Sequence, residues 1–327
     1  MKYRRTIKWV GGIAGVVVIL LASGWLAFVP FAKEPPYSFV KAWGGPGSGP
    51  GQFNDPTGLA VAGEEVFVSD ARNARIQVFD LDGNFKRAFP APGETAVKLG
   101  RPMNLTVAGD ELYVADYWTD RVEVFALDGR HRRTIGKTGT GPGEFKAPGG
   151  VAVAPNGDLY VVDFYNQRVQ HLRADGGFVR QWGTTGKYGI WGGEFGYPTD
   201  AALGPDGTLY VADGYNDRVQ AFSSSDGKLT HKWGGPLAMN IWGPFSGWFA
   251  TVTSIAVDKQ GNVFVADFYN NRVQKFAPDG TFLTAIGTKG SGPGQFQHAM
   301  AGAVAEDGSL FIADLGNNRI HKWRPGR

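Results

Sequence analysis

The chain has no cysteine among its 327 residues and only five histidines. The missing cysteine excludes disulfides, thiolate metal sites, a cysteine nucleophile and a lipid-modified cysteine anchor, and it leaves the compartment open. Charge of one sign is scarce too. The formal net charge is +3, of which Lys2, Arg4, Arg5 and Lys8 carry +4, so residues 9–327 sum to −1. A nearly neutral body lacks the basic footprint needed to neutralise phosphates, so no nucleic-acid partner is expected. Strand punctuation, by contrast, is plentiful: 49 glycines and 13% aromatic residues point to an all-β chain rich in tight turns.

What recurs is one short sentence, clearest as Asp267-Phe268-Tyr269-Asn270-Asn271-Arg272-Val273-Gln274. Other versions begin at Asp70, Asp116, Asp163, Asp213 and Asp314, each with an arginine five positions on. Successive starts lie 46, 47, 50, 54 and 47 residues apart, a spacing that signals a repeat architecture. Each period is long enough for four short strands and too short for crossover helices. In the first repeat these are 58–62 (a), 65–69 (b), 75–79 (c) and 85–89 (d). Asn156-Gly157, Asp206-Gly207 and Asp307-Gly308 fall between a and b; Asp82-Gly83, Asp128-Gly129, Asp175-Gly176, Asp226-Gly227 and Asp279-Gly280 fall between c and d. Such pairs supply the positive φ values that hairpins demand. The expected fold is all-β: a six-bladed β-propeller of four-stranded antiparallel blades.

The last repeat ends without a strand d, and residues 38–44 (Ser-Phe-Val-Lys-Ala-Trp-Gly) resemble that missing strand. The N-terminal strand is therefore expected to close the ring, covering two sheet edges. Ahead of it, residues 9–31 carry no charge and as a helix would extend roughly 33 Å, enough for a bilayer core. The basic residues before this run place the N-terminus in the cytoplasm. The expected organisation is a cytoplasmic basic segment (1–8), one transmembrane signal-anchor helix (9–31), a short linker (32–37) and an extracytoplasmic propeller (38–327), periplasmic or extracellular. A cleaved signal peptide is the alternative reading of residues 9–31. The linker would hold the body against the membrane, with the anchor tied to the outer edge of blade six.

The pattern Gly-Pro-Gly-x-Phe, then Pro-x-Gly-(Ile/Val/Leu)-Ala-Val, then Gly-x-(Leu/Val)-(Tyr/Phe)-Val-x-Asp-x-x-Asn-x-Arg-(Ile/Val)-Gln resembles the NHL repeat. The likeness covers essentially all of residues 38–327 and suits a membrane-anchored NHL-repeat protein of the bacterial type. It implies the propeller fold and leaves function open among binding scaffolds, receptor ectodomains, RNA-binding modules and peptidyl-hydroxyglycine amidating lyases. Those lyases hold zinc with histidines just after the proline that opens strand a. The matching positions here are Thr57, Met103, Gly149, Thr199, Thr253 and Met300, so that activity is not expected.

An Asp…Arg pair present in every repeat reads as blade construction rather than as a site. His131, His171, His231 and His321 fall on outer strands of different blades and cannot converge. His298 alone sits in a connection leading to an inner strand. The ring position after the lyase-like one reads Gly58, Asn104, Gly150, Asp200, Ser254 and Ala301, in which Asn104 and Asp200 could bind a cation or polar ligand at the channel mouth. The long connections 183–197 and 234–252 carry Tyr188, Trp191, Trp242, Phe245, Trp248 and Phe249, either as caps on the core or as an apolar patch for a partner. No catalytic set, metal or cofactor is expected from these residues. The favoured function is a scaffold for protein interaction or ligand binding, possibly in a membrane complex. A metal-assisted lyase or lactone hydrolase at the channel mouth, around Asn104, Asp200 and His298, is the alternative.

Overall fold

The computed structural model describes residues 29–90 and 97–326. The span expected between 9 and 31 lies almost wholly outside them; among the described residues no helix is long and apolar enough to cross a membrane. Six four-stranded antiparallel sheets make up the body. Five are built in sequence order from the axis outward: blade one runs Pro56–Ala62, Glu65–Asp70, Arg75–Asp80 and Phe85–Phe89. Blade six takes Ala299–Val304, Leu310–Asp314 and Arg319–Arg324 from the C-terminal end, and Ser38–Gly44 as its outermost strand. Trp43 pairs with Ile320 and Gly44 with Arg319, so the ring closes as expected.

The blades interlock through apolar side chains alternating along strands. One shared core joins Phe53, Val66, Val68 and Phe79 of blade one to Phe311, Ala313 and Ile320 of blade six. The phenylalanine of the Gly-Pro-Gly-x-Phe connection is its recurring anchor: Phe53, Phe145, Phe195, Phe249 and Phe296 are all fully buried. At about 25 cal/mol per Å² of apolar surface, each such ring contributes roughly 1.5–3 kcal/mol.

The repeated sentence folds into a staple that ties each connection to its blade. Asp213, at the end of strand b, accepts from the Gly196 N–H (2.7 Å), Asn216 Nδ2 (2.9 Å), Arg218 Nε (2.7 Å) and Gln220 Nε2 (3.0 Å). Arg218 and Gln220 then donate to the Glu194 carbonyl of the connection. Blades one, three and five repeat this arrangement around Asp70, Asp163 and Asp267. Blade two departs from it. Asp116 accepts from the Gly100, Arg101 and Trp118 N–H groups, and Arg121 stands exposed without reaching it. Sequence spacing alone pairs Asp116 with Arg121; the connection at 90–102 has no Gly-Pro-Gly-x-Phe, the stretch whose carbonyls hold the arginine elsewhere.

The expected linker is not a free tether. The Lys33 and Glu34 N–H groups both donate to the Leu283 carbonyl on the outer strand of blade five (2.8 and 3.1 Å), and Glu34 pairs with Lys275 at 2.6 Å. Tyr37 is buried edge-on against Phe264, 6.0 Å between centroids. Pro30 lies against Gly247 in the connection between blades four and five. The chain thus enters the propeller at the rim of blades four and five, not at the edge of blade six.

Candidate functional site

Each inner strand opens with a β-bulge: pairing slips by one residue between Pro56 and Gly58, Pro148 and Gly150, Pro198 and Asp200, Val252 and Ser254, and Ala299 and Ala301. A bulge sets two residues opposite one and re-aims their side chains. Both ring positions therefore serve the channel, in two layers. Met103, Gly149, Thr199, Thr253 and Met300 line a cavity of about 460 Å³ at one mouth. Asp200 and Ser254 line a second cavity of about 260 Å³ on the other side, and Asn104 borders both.

Asn104 forms the partition between them. From blade two its Nδ2 donates toward the carbonyls of Gly149 (3.2 Å), Thr199 (3.5 Å) and Thr253 (3.4 Å), which belong to blades three, four and five. Its Oδ1 is buried without a hydrogen-bond partner among the described residues. Asp200 is buried as well; its carboxylate accepts from Ser254 Oγ (2.9 Å), the Ile255 N–H (3.1 Å) and the Ala201 N–H (2.9 Å). Burial pushes its carboxyl up to about 7, against the pull of those donors. Asp200 thus bridges blades four and five at the level of the partition. A Cβ on Gly150 would stand 2.1 Å from Asp200 Oδ1, which is why blade three carries glycine there. Gly150→Ala is expected to lower stability by about 1–3 kcal/mol in a denaturant melt. Gly302→Ala, whose nearest heavy atom would be 3.7 Å away, is expected to be neutral.

His298 does not join Asn104 and Asp200. Its ring stacks on Phe268 (4.4 Å, 7°), its N–H donates to Asn271 Oδ1, and Phe268 rather than His298 lines the mouth cavity. Burial holds its imidazole below the ordinary histidine value. Among the described residues no three of His, Cys, Asp or Glu gather so as to hold a metal ion.

Sequence reasoning missed the wall of the mouth. Variable residues inside Asp-x-x-Asn supply it: Tyr117 and Trp118, Phe164, Tyr215, and Phe268 and Tyr269, with Tyr165 packed behind Phe164. Blades two to five thus form an aromatic arc, while blades six and one present Leu315-Gly316 and Ala71-Arg72 at the same positions. From blade two to blade four the arc is continuous: Tyr117 packs on Phe164 (6.0 Å), Phe164 on Tyr197 (5.1 Å) and Tyr197 on Tyr215 (5.1 Å), with a 2.8 Å hydrogen bond between the Tyr117 and Tyr165 hydroxyls. Burial raises the Tyr117 and Tyr215 hydroxyls above their ordinary range, so both stay protonated donors at neutral pH. Arg101 stands over the Trp118 ring at 5.8 Å and is neutralised by Asp55 at 3.3 Å. The overlooked signal was the change in residue type inside an otherwise constant sentence.

The six loop aromatics separate into two groups. Phe249 is fully buried because it occupies the conserved-looking anchor place of its connection, the counterpart of Phe53. Trp248 is 2% exposed, with Phe245 edge-on at 5.1 Å. Neither can present its ring to a partner. Tyr188, Trp191, Trp242 and Phe245 remain exposed. The two long connections do meet: Arg218 Nη1 donates to the carbonyls of Ile190 and Ala238, and the Asn240 side-chain amide meets the Tyr188 hydroxyl at 3.1 Å, its oxygen accepting.

A closed ring of six four-stranded blades around a partitioned channel with an aromatic mouth defines a β-propeller of the six-bladed class. Residues 93–181 match a family profile described as a 6-bladed beta-propeller, and 53–79, 195–222 and 249–276 match the NHL repeat. The chain is an NHL-repeat propeller. Among curated proteins it shares 54% identity over 37 residues with the B-box type zinc finger protein ncl-1 of Caenorhabditis elegans. That stretch is 11% of this chain and only 4% of the relative. Among solved structures it is similar to a Bacteroides thetaiotaomicron protein of unknown function (18% identity, TM-score 0.65, covering 88% of this chain and 75% of that one). It is also similar to a streptogramin B lyase (17%, 0.58, 84% and 94%) and to virginiamycin B lyase from Staphylococcus aureus (17%, 0.56, 83% and 95%). Identities this low speak to the fold alone.

Proposed function

We propose that this chain is a membrane-anchored, extracytoplasmic propeller that acts as a binding scaffold, taking a flat, mostly apolar group into its channel mouth. One observation carries the proposal: a cavity of about 460 Å³ walled by six aromatic rings and floored by Met103, Met300 and the Asn104 partition. Cavities of this size and lining suit a ring-bearing small molecule or an aromatic side chain of a peptide, and the Tyr215 hydroxyl adds a directional donor. A protein partner in the same membrane is a natural source of such a group. Anchoring is supported by the uncharged run at 9–31 and the basic residues before it. Catalysis at Asp200 is the weaker reading, because both of its oxygens are engaged by Ser254, Ile255 and Ala201 and it lies beyond the partition from the aromatic mouth.

Ligand-observed NMR with a library of aromatic fragments, run on the full chain in detergent, tests the site. Met103→Trp fills the floor and is expected to abolish the binding of fragments that saturate in the wild type. Its melting temperature should match that of the wild type. Fragments that bind Met103→Trp as well as they bind the wild type would place the site elsewhere.

A further inference from the structure

The connection between blades four and five, which touches the entering chain at Gly247, carries exposed apolar side chains. Leu237 is 74% exposed, Trp242 70% and Phe245 45%, and Phe31, one residue from the Pro30 contact with Gly247, is 89% exposed. The same connection buries Ala238, Trp248 and Phe249, so the blade's need for apolar anchors is met by other residues. Four large apolar side chains held out to solvent in one region are costly unless something covers them.

We infer that this rim is a lipid-contact surface: Leu237, Trp242 and Phe245 enter the headgroup and acyl boundary of a bilayer. The inference rests on the membrane-anchored reading and adds to it which side of the propeller faces the membrane. Lipid, rather than a protein, is the occupant because of where the described chain starts. The uncharged run of bilayer length, residues 9–31, includes at its end Pro30, which lies against Gly247. The segment after it is pinned by Lys33 and Glu34 to Leu283, by Glu34 to Lys275, and by Tyr37 against Phe264. Whatever surface that run enters must therefore lie against this rim, since no free linker separates them. Tryptophan and phenylalanine beside such an entry point are the residues that settle at a membrane interface, and exposed Lys33 can meet lipid phosphate.

The absence of cysteine makes the test direct. Full chains carrying Trp242→Cys, Leu237→Cys or, at the channel mouth, Trp118→Cys are each labelled with one environment-sensitive fluorophore and reconstituted into phosphatidylcholine–phosphatidylglycerol vesicles. Nitroxide-bearing lipids with the spin label near the headgroup are then added. The labels at 242 and 237 are expected to emit at shorter wavelength and lose most of their emission, while the label at 118 stays bright and open to aqueous iodide. Equal behaviour at all three positions in protein that floats with the vesicles would overturn the rim orientation and leave anchoring intact. Shielding of 242 only after a membrane extract is added would assign the rim to a protein and overturn the lipid assignment. Failure of the full chain to float would remove the anchored reading itself, and the inference with it.

Discussion

Arg218→Ala is expected to destabilise the propeller by about 3–5 kcal/mol, the cost of leaving a buried charge without its partner. Arg218 and Asp213 are both fully buried, and their pair at 2.7 Å is the most enclosed of the blade staples. The guanidinium also serves the carbonyls of Ile190, Trp191, Glu194 and Ala238, so its loss removes a donor from one buried carboxylate and from four carbonyls drawn from two connections. The same change at Arg319, whose side chain is 19% exposed, should cost less because water already reaches that guanidinium and screens its pair with Asp314. Arg218→Lys keeps the charge and loses the fork, and is expected to fall between wild type and alanine. Urea melts of the three variants check the order. Equal losses at Arg218 and Arg319 would mean that burial does not set the strength of the staple.

Asp200→Asn is expected to remove a large part of the chain's pH dependence of stability. Burial lifts the Asp200 carboxyl from an ordinary 3.8 to about 7. Between those values the folded chain holds a proton that the unfolded chain releases, so stability is fullest below about pH 4 and declines as pH rises toward 7. For this residue alone the decline is on the order of 4 kcal/mol. The asparagine amide keeps one acceptor oxygen and forfeits one backbone hydrogen bond, a loss of about 1 kcal/mol. The variant should therefore be slightly weaker than wild type below about pH 4 and stronger by about 3 kcal/mol at pH 8. Asp213, raised by burial to about 6, shifts stability in the same direction, so the effect is read as the difference between variant and wild type. Parallel pH profiles would show that Asp200 is not held as an acid inside the channel.

Much of the fold was legible because it is written six times. Asp-x-x-Asn-x-Arg-x-Gln, the Gly-Pro-Gly-x-Phe connection and the Asx-Gly hairpins each report a local backbone requirement, and the unpaired strands at the two ends report closure. What was not legible depended on geometry between repeats. The bulge after the opening proline leaves no mark in composition, yet it decides that Met103 faces the mouth while Asn104 forms the partition. Phe249 read as a binding residue because its connection is long and aromatic; aligned with Phe53 and Phe145 it is a core anchor. Arg121 kept its spacing from Asp116 but does not reach it, which no inspection of the sentence itself reveals. The aromatic wall lay inside the repeated sentence, at the two positions free to vary, because the neighbouring Asp and Asn fix the turn and leave those side chains to project toward the axis. The repeat thus specifies the blade, and its variable interior specifies the mouth.

The central claim, that the aromatic channel mouth is the binding site, is tested most directly by a crystal structure of the protein soaked with a fragment that saturates in the NMR screen. The account predicts the fragment between Tyr117, Phe164 and Tyr215, above Met103 and the Asn104 partition. A fragment seated instead on Trp191 or Trp242, with the mouth empty, would contradict it.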